Sequence, residues 1–166
     1  MKNNSIHLAY AAIIAALYAV LTHMQNLLFP GSASWAIQMR LSEALCVLAF
    51  FTPAAIPGLA VGCLIFNLSS PFILDIVMGT AATLLATTGM WLTRKITIKS
   101  YPLLGLIMPA VFNAFLVGWE LTIYTDVGFW FNALCVAIGE LAVLLVLGSA
   151  LYYAIRSRHL EKKLFS

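Results

Sequence analysis

Charge is what this sequence has least of. Only 9% of its 166 residues are Asp, Glu, Lys or Arg, while 63% are hydrophobic. Soluble domains carry about 25% charged residues, so a soluble globular domain is excluded and an integral membrane protein is expected. Cysteine is scarce as well. Cys46, Cys63 and Cys135 stand singly in apolar runs, without the paired spacing of a disulfide framework or a metal site, and read as buried small hydrophobes. Also missing are a nucleophile–base arrangement, a metal motif and a phosphate-binding Gly-rich loop. No Walker-type nucleotide site is present, so the chain is not expected to hydrolyse ATP by that route, to act as an enzyme or to carry a cofactor. The net charge of +3 is too small and too scattered to point to nucleic acid.

What is present is a succession of long apolar runs. A membrane-spanning helix needs roughly 20 residues, so this length allows about six spans with short connections. The run after Lys2 is too long for a signal-peptide core and no small-residue cleavage site follows it, so it reads as the first span. The expected spans are 6–28, 38–51, 55–68, 72–92, 101–122 and 129–155, forming one all-α integral membrane domain over residues 1–166. Within the first span, Ala12/Ala16 and Ala11/Ala15/Ala19 make small-xxx-small faces, which serve either internal packing or docking to another subunit. The second and third spans are short. Pro57 and the Gly58-Leu59-Ala60-Val61-Gly62 pattern mark helices packed on protein, not lipid.

Topology follows from the basic residues. Six spans put Lys2, Arg94, Lys95, Lys99, Arg156, Arg158, Lys162 and Lys163 on one side of the membrane. Eight of the nine Lys and Arg residues are thereby accounted for, and the positive-inside rule makes that side, with both termini, cytoplasmic. The ninth is Arg40, three residues before Glu43 inside an apolar segment. Ionisable groups at membrane depth are costly and usually mark a substrate or ion pathway.

The same topology brings other polar groups to the outer half of the membrane. Arg40, Glu43, Asn67, Asp75, Glu120 and Asn132 fall within a turn or two of the outer ends of their spans. Asn113 lies about 10 Å below its span's outer end and Glu140 about 16 Å into the last span. An outward-facing polar pocket is the expectation. Plainer roles stand beside it. Arg40 and Glu43 can neutralise each other on one helix face, Asp75 can serve a helix N-terminus, and Glu120 can snorkel to the interface. Trp35, Trp119 and Trp130 fit an interfacial aromatic belt or stacking on a flat ligand; His7, His23 and His159 read as interfacial. Four carboxylates (Glu43, Asp75, Glu120, Glu140) around one arginine leave a surplus of acceptors. That surplus suits a cation or a ligand rich in N–H donors, and disfavours an anion. Glu43 and Glu140 are the favoured ligand contacts, with Arg40 orienting them.

Several stretches carry a resemblance. Gln38-Met39-Arg40-Leu41-Ser42-Glu43-Ala44-Leu45, Phe51-Thr52-Pro53-Ala54-Ala55-Ile56-Pro57-Gly58-Leu59, Leu74-Asp75-Ile76-Val77-Met78-Gly79-Thr80-Ala81-Ala82-Thr83-Leu84 and Val136-Ala137-Ile138-Gly139-Glu140 resemble the QueT family. Its members are regarded as substrate-binding S-components of energy-coupling factor (ECF) transporters for queuosine precursors. The resemblance implies a six-helix S-component in the bacterial plasma membrane, binding a 7-deazaguanine at its outward face. It also implies partners: a transmembrane coupling subunit and two ATPase subunits, docked through Ala12/Ala16 or Ala11/Ala15/Ala19. Pre-queuosine-1 is the first candidate ligand and queuine its rival. The other readings are a proton-coupled secondary transporter with Glu140 and Asp75 as relay groups, and a membrane scaffold whose polar groups only join helices. The absence of an evident inverted repeat counts against the former.

Overall fold

The computed structural model describes residues 2–32, 37–99 and 101–160. Apolar runs with few helix breakers become helices, and Pro or Gly punctuates them. Helix α1 (Lys2–Leu28) is followed by a 3₁₀ helix (Leu41–Phe50), α2 (Ala55–Asn67) and α3 (Ile73–Thr93). A single turn, α4 (Leu103–Leu106), precedes α5 (Met108–Tyr124). Helix α6 (Phe129–Val143) runs through a π-helical turn (Leu144–Gly148) into α7 (Ser149–Ser157). No strand is present among the described residues.

Among the described residues, four stretches are long and apolar enough to cross a membrane: Asn4–Leu28, Ile73–Thr93, Leu103–Tyr124 and Phe129–Ser157. The segments expected as the second and third spans are shorter. Each covers about 20 Å, the former because a 3₁₀ helix rises about 2.0 Å per residue, against a hydrocarbon core of about 30 Å. The second segment also differs in kind from the α-helix expected over 38–51. Arg40 caps it in extended backbone (φ −82°, ψ 110°), and the helix begins only at Leu41.

The 3₁₀ helix is the hub. Helices α1, α2, α3 and α6, the π turn and α7 all touch it, and seven of its ten residues are buried. Runs of 3₁₀ beyond three or four residues are uncommon, and tethers at both ends explain this one. At the start, the Gln25 side chain of α1 accepts from the Leu41 N–H at 2.7 Å and donates to the Met39 carbonyl at 2.5 Å. At the finish, Phe50 and Phe51 pack on Tyr152 of α7, with ring centroids 5.8 and 5.5 Å away. Ten residues must bridge these anchors. As 3₁₀ they reach about 20 Å, as α-helix about 15 Å.

Around the hub the long helices pack in the order α1, α2, α3, α5, α6. The α1–α2 contact uses small residues as the alanine spacing anticipates. A Cβ on Gly58 would lie 2.7 Å from the Ala11 carbonyl, and one on Gly62 2.8 Å from that of Ala15, so only glycine admits this approach. Ala15 and Ala19 are buried there, while Ala12 and Ala16 stay exposed. The two faces of α1 therefore separate, one spent inside the chain and one free of it. All three cysteines are buried and free.

The chain alternates direction, so its segments share two ends. At one end Tyr101 meets Tyr152 and Tyr153, its hydroxyl bonds Ser149 Oγ, and Arg156 donates to Tyr152 Oη at 2.6 Å. Arg94 lies over the Trp91 ring at 3.5 Å. The other end gathers the finishes of α1, α2 and α5 with the start of α3, and there a cleft opens.

Candidate functional site

The cleft, about 380 Å³, is walled by the C-terminal turns of α1, α2 and α5 and the first turn of α3. Of the residues singled out in the sequence, Asn67, Asp75 and Glu120 line it. So do His23, Asn26, Gln38, Phe66, Phe72 and Tyr124, which the sequence reading did not place in a pocket. Aromatic rings form much of its wall. Phe72 and Tyr124 pack at 4.2 Å between centroids, and His23 meets Phe66 edge-on at 5.1 Å.

The α2–α3 corner supplies the first acceptor. Asn67 ends α2 and is 1% exposed; its Nδ2 donates to the Asp75 carbonyl at 3.1 Å and contacts Cys63 Sγ at 3.4 Å. Only an amide N–H can serve that carbonyl, so the other atom is Oδ1, which has no partner. Glu120, which follows exposed Trp119 on α5, is 3% exposed, and its Oε2 is likewise unpartnered. A buried acceptor left without a donor costs about 1–3 kcal/mol. The Asp75 side chain, half-buried, adds a second acidic group to the wall.

Arg40 and Glu43 lie deeper. The extended backbone at Arg40 lets its guanidinium turn from the helix toward α2, 5.4 Å from the Phe66 ring centroid and 3.9 Å from Cys63 Sγ. It thus backs the cleft's aromatic wall. Glu43 points to α1, where Tyr18 Oη donates to its Oε1, and Cys46 Sγ donates to its Oε2 at 3.1 Å. Next to this contact Thr22 Oγ1 bonds Ser42 Oγ at 2.6 Å. Tyr18, Thr22 and Gln25 therefore form a polar stripe at helical spacing that fixes the start of the 3₁₀ helix. Their i, i+4, i+7 recurrence within an apolar helix was the available signal.

Asn113 and Glu140 meet in the interior, the Asn113 Nδ2 donating to Glu140 Oε1 at 2.9 Å. Glu140 Oε2 is buried without a partner. Neither residue lines the cleft. Asn132 staples the α5–α6 turn, donating to Thr125 Oγ1 and the Val127 carbonyl, both at 3.2 Å. Trp119 is 47% exposed and stands outside the cleft. Trp130 is exposed on α6, and Trp35 lies outside the described residues. The described residues hold no group of three or more His, Cys, Asp or Glu able to bind a metal ion.

At the opposite end, α1 and α2 enclose an apolar groove of about 570 Å³. Ala11, Ala12 and Ala15 line one side of it, and Pro53, Ala54, Pro57 and Gly58 the other.

Long apolar helices, a buried polar interior and a cleft at one end define an integral membrane protein built as a solute transporter is built. Residues 8–157 match the family described as "QueT transporter", and the chain belongs to that family. It is 36% identical over 84 residues to the "Queuosine precursor transporter QueT" of Lactococcus lactis subsp. cremoris. That alignment covers 50% of this chain and 48% of the relative, so it spans about half the length of the curated protein it matches. No solved structure matches the chain.

Proposed function

We propose that this chain is the substrate-binding S-component of an ECF-type importer of the cell membrane, and that it takes up a queuosine precursor. The observation that carries the reading is the cleft. Its polar wall combines the carboxylates Asp75 and Glu120 with amide and hydroxyl side chains, aromatic rings and a few aliphatic residues form the rest, and its volume suits one small flat molecule. A 7-deazaguanine has donors on its pyrimidine edge and two faces to stack. Pre-queuosine-1 adds a cationic aminomethyl group, for which Asp75 or Glu120 is a counter-charge; queuine, bulkier by a cyclopentenediol, is the alternative. Membership of the QueT family and the printed function of the Lactococcus relative support the same substrate class.

In this reading the whole chain is one membrane domain. All six apolar segments enter the bilayer, the two short ones shielded by their neighbours. The end carrying Arg94, Lys95, Lys99, Arg156 and Arg158 faces the cytoplasm with both termini, so the cleft opens outward. The coupling subunit docks on the exposed Ala12/Ala16 face beside the apolar groove, and two ATPase subunits supply the hydrolysis. Mass spectrometry of small molecules released from protein purified out of rich medium tests the substrate. Pre-queuosine-1 or queuine is the expected release, and an unrelated solute would refute it. Co-purification with a coupling subunit and ATPases, abolished by Ala12→Trp, tests the assembly.

A further inference from the structure

We infer that Asn67 Oδ1 and Glu120 Oε2 act together as a two-acceptor reader that selects ligands with two adjacent N–H donors, and that Gly79 is the residue that positions Asn67 for the task. The inference rests on the proposed uptake function and adds which atoms read the ligand and which edge they read.

Three observations converge. First, both oxygens belong to side chains at least nine-tenths buried, both side chains line the same cleft, and neither oxygen has a donor. An Asn and a Glu on different helices, both lining one cleft and each with an unmet acceptor, are what a site shows when its ligand supplies the donors. Second, the Asn67 amide cannot turn to satisfy itself. Its Nδ2 is committed to the Asp75 carbonyl, which fixes Oδ1 on the other side. Third, the amide occupies space that exists because residue 79 has no side chain. A Cβ built there would overlap Asn67 Nδ2, so Gly79 of α3 is buried directly against the amide.

The chemistry of the pair sets the ligand. Two acceptors call for two donors on one edge, as in the N1–H and 2-amino group of a 2-aminopyrimidin-4-one ring. A hypoxanthine-type ring lacks the amino donor, and an adenine-type ring presents an acceptor at N1. Either substitution leaves one buried oxygen unmet, and sites built to bond a polar group reject analogues that lack it strongly. Neither oxygen is open to water, so the ligand reaches them by displacing side chains of the cleft wall.

The test uses the full chain in detergent and calorimetric titration with two probes, 7-deazaguanine and 7-deazahypoxanthine, which differ only in the 2-amino group. The wild type is expected to prefer the first by tenfold or more. Glu120→Leu and Asn67→Ala are expected to reduce that ratio to near one, and Glu120→Gln and Asn67→Asp, which each keep an oxygen, to retain more of it. Gly79→Ala never touches the ligand, yet should lower the same ratio. A change that only loosened the fold would weaken both probes equally and leave the ratio standing. Binding of both probes with equal affinity by the wild type, or an unaltered ratio in Glu120→Leu and Asn67→Ala, overturns the reader while leaving the uptake function in place. Binding of neither probe by the wild type overturns the reader, and the uptake function falls with it only if pre-queuosine-1 and queuine, titrated in the same way, also fail to bind.

Discussion

A single buried side chain here is defined by what its backbone lets it face. Arg40 and Glu43, three apart in sequence, read as a glutamate that meets ligand and an arginine that orients it, with mutual neutralisation on one helix face as the plainer role. The extended conformation at Arg40 instead sends it toward Cys63 and Phe66 of α2, while Glu43 turns to Tyr18 and Cys46. Sequence reading found both residues, because charge in an apolar run is conspicuous. It could not find their directions, because those depend on where the helix starts, and no strong capping residue marks that point. Tyr18 was missed for a related reason: a tyrosine in an apolar helix looks like core until its hydroxyl meets a carboxylate. Removing that hydroxyl leaves Glu43 Oε1 short of a donor inside the protein. Tyr18→Phe should therefore cost about 1–3 kcal/mol of stability, seen as a lowered melting temperature in detergent. In a double-mutant cycle, Glu43→Leu should cost less on the Tyr18→Phe background than on the wild type. Additive costs would show that the two groups do not act as a unit.

At the level of elements, α1 is two tools on one rod. Its Ala11/Ala15/Ala19 face seats the glycines of α2, and its Tyr18/Thr22/Gln25 stripe grips the start of the 3₁₀ helix. Both patterns were written in the sequence at helical spacing, but only the alanines were noticed, since small residues in a membrane helix have a known use. The 3₁₀ geometry was not legible at all. Leu41–Phe50 carries no residue that forbids an α-helix, and its overwinding follows from tethers at Gln25 and Tyr152, which are distant in sequence. Gln25 is the tether whose loss should be most visible, because its amide serves both a backbone N–H and a backbone carbonyl. Gln25→Ala leaves Leu41 N–H and Met39 C=O without those partners, and hydrogen exchange at Leu41 should accelerate by tenfold or more. Gln25→Glu keeps the acceptor and should protect Leu41 better than Gln25→Ala does. Gly62→Val tests the other face. Its side chain would run into the backbone of α1, so loss of the folded monomer on size-exclusion chromatography is expected, and retention of a native elution profile would argue against close α1–α2 packing.

For the whole molecule, the distribution of charge in the sequence already divided the chain into two ends, and the fold keeps them apart. The cleft gathers Asn67, Asp75 and Glu120 at the end away from Arg94, Lys95, Lys99, Arg156 and Arg158. Alternating helices made this legible, because the end at which a residue lies follows from counting spans. How deep each residue lies, and which cavity it faces, does not follow from counting, and so Glu43, Asn113 and Glu140 were expected in the same pocket but occupy the interior beneath it. The exposed Ala12/Ala16 face is the remaining piece with an assigned task and no partner inside the chain. If it docks the coupling subunit, bulk added there must separate binding from transport. Ala12 is exposed beside the apolar groove and lies about 15 Å along α1 from Thr22 and the cleft beyond it, so affinity for pre-queuosine-1 in detergent should remain within about twofold of wild type in Ala12→Trp. Uptake by cells carrying the coupling subunit and ATPases should fall to background, because a large ring holds the docking helices apart. Gly58→Ala, which presses on the buried face of the same helix, should instead lower stability and reduce binding and uptake together. Wild-type uptake by Ala12→Trp would place the docking surface elsewhere on the molecule, and lost binding would show that the two ends of α1 are not independent.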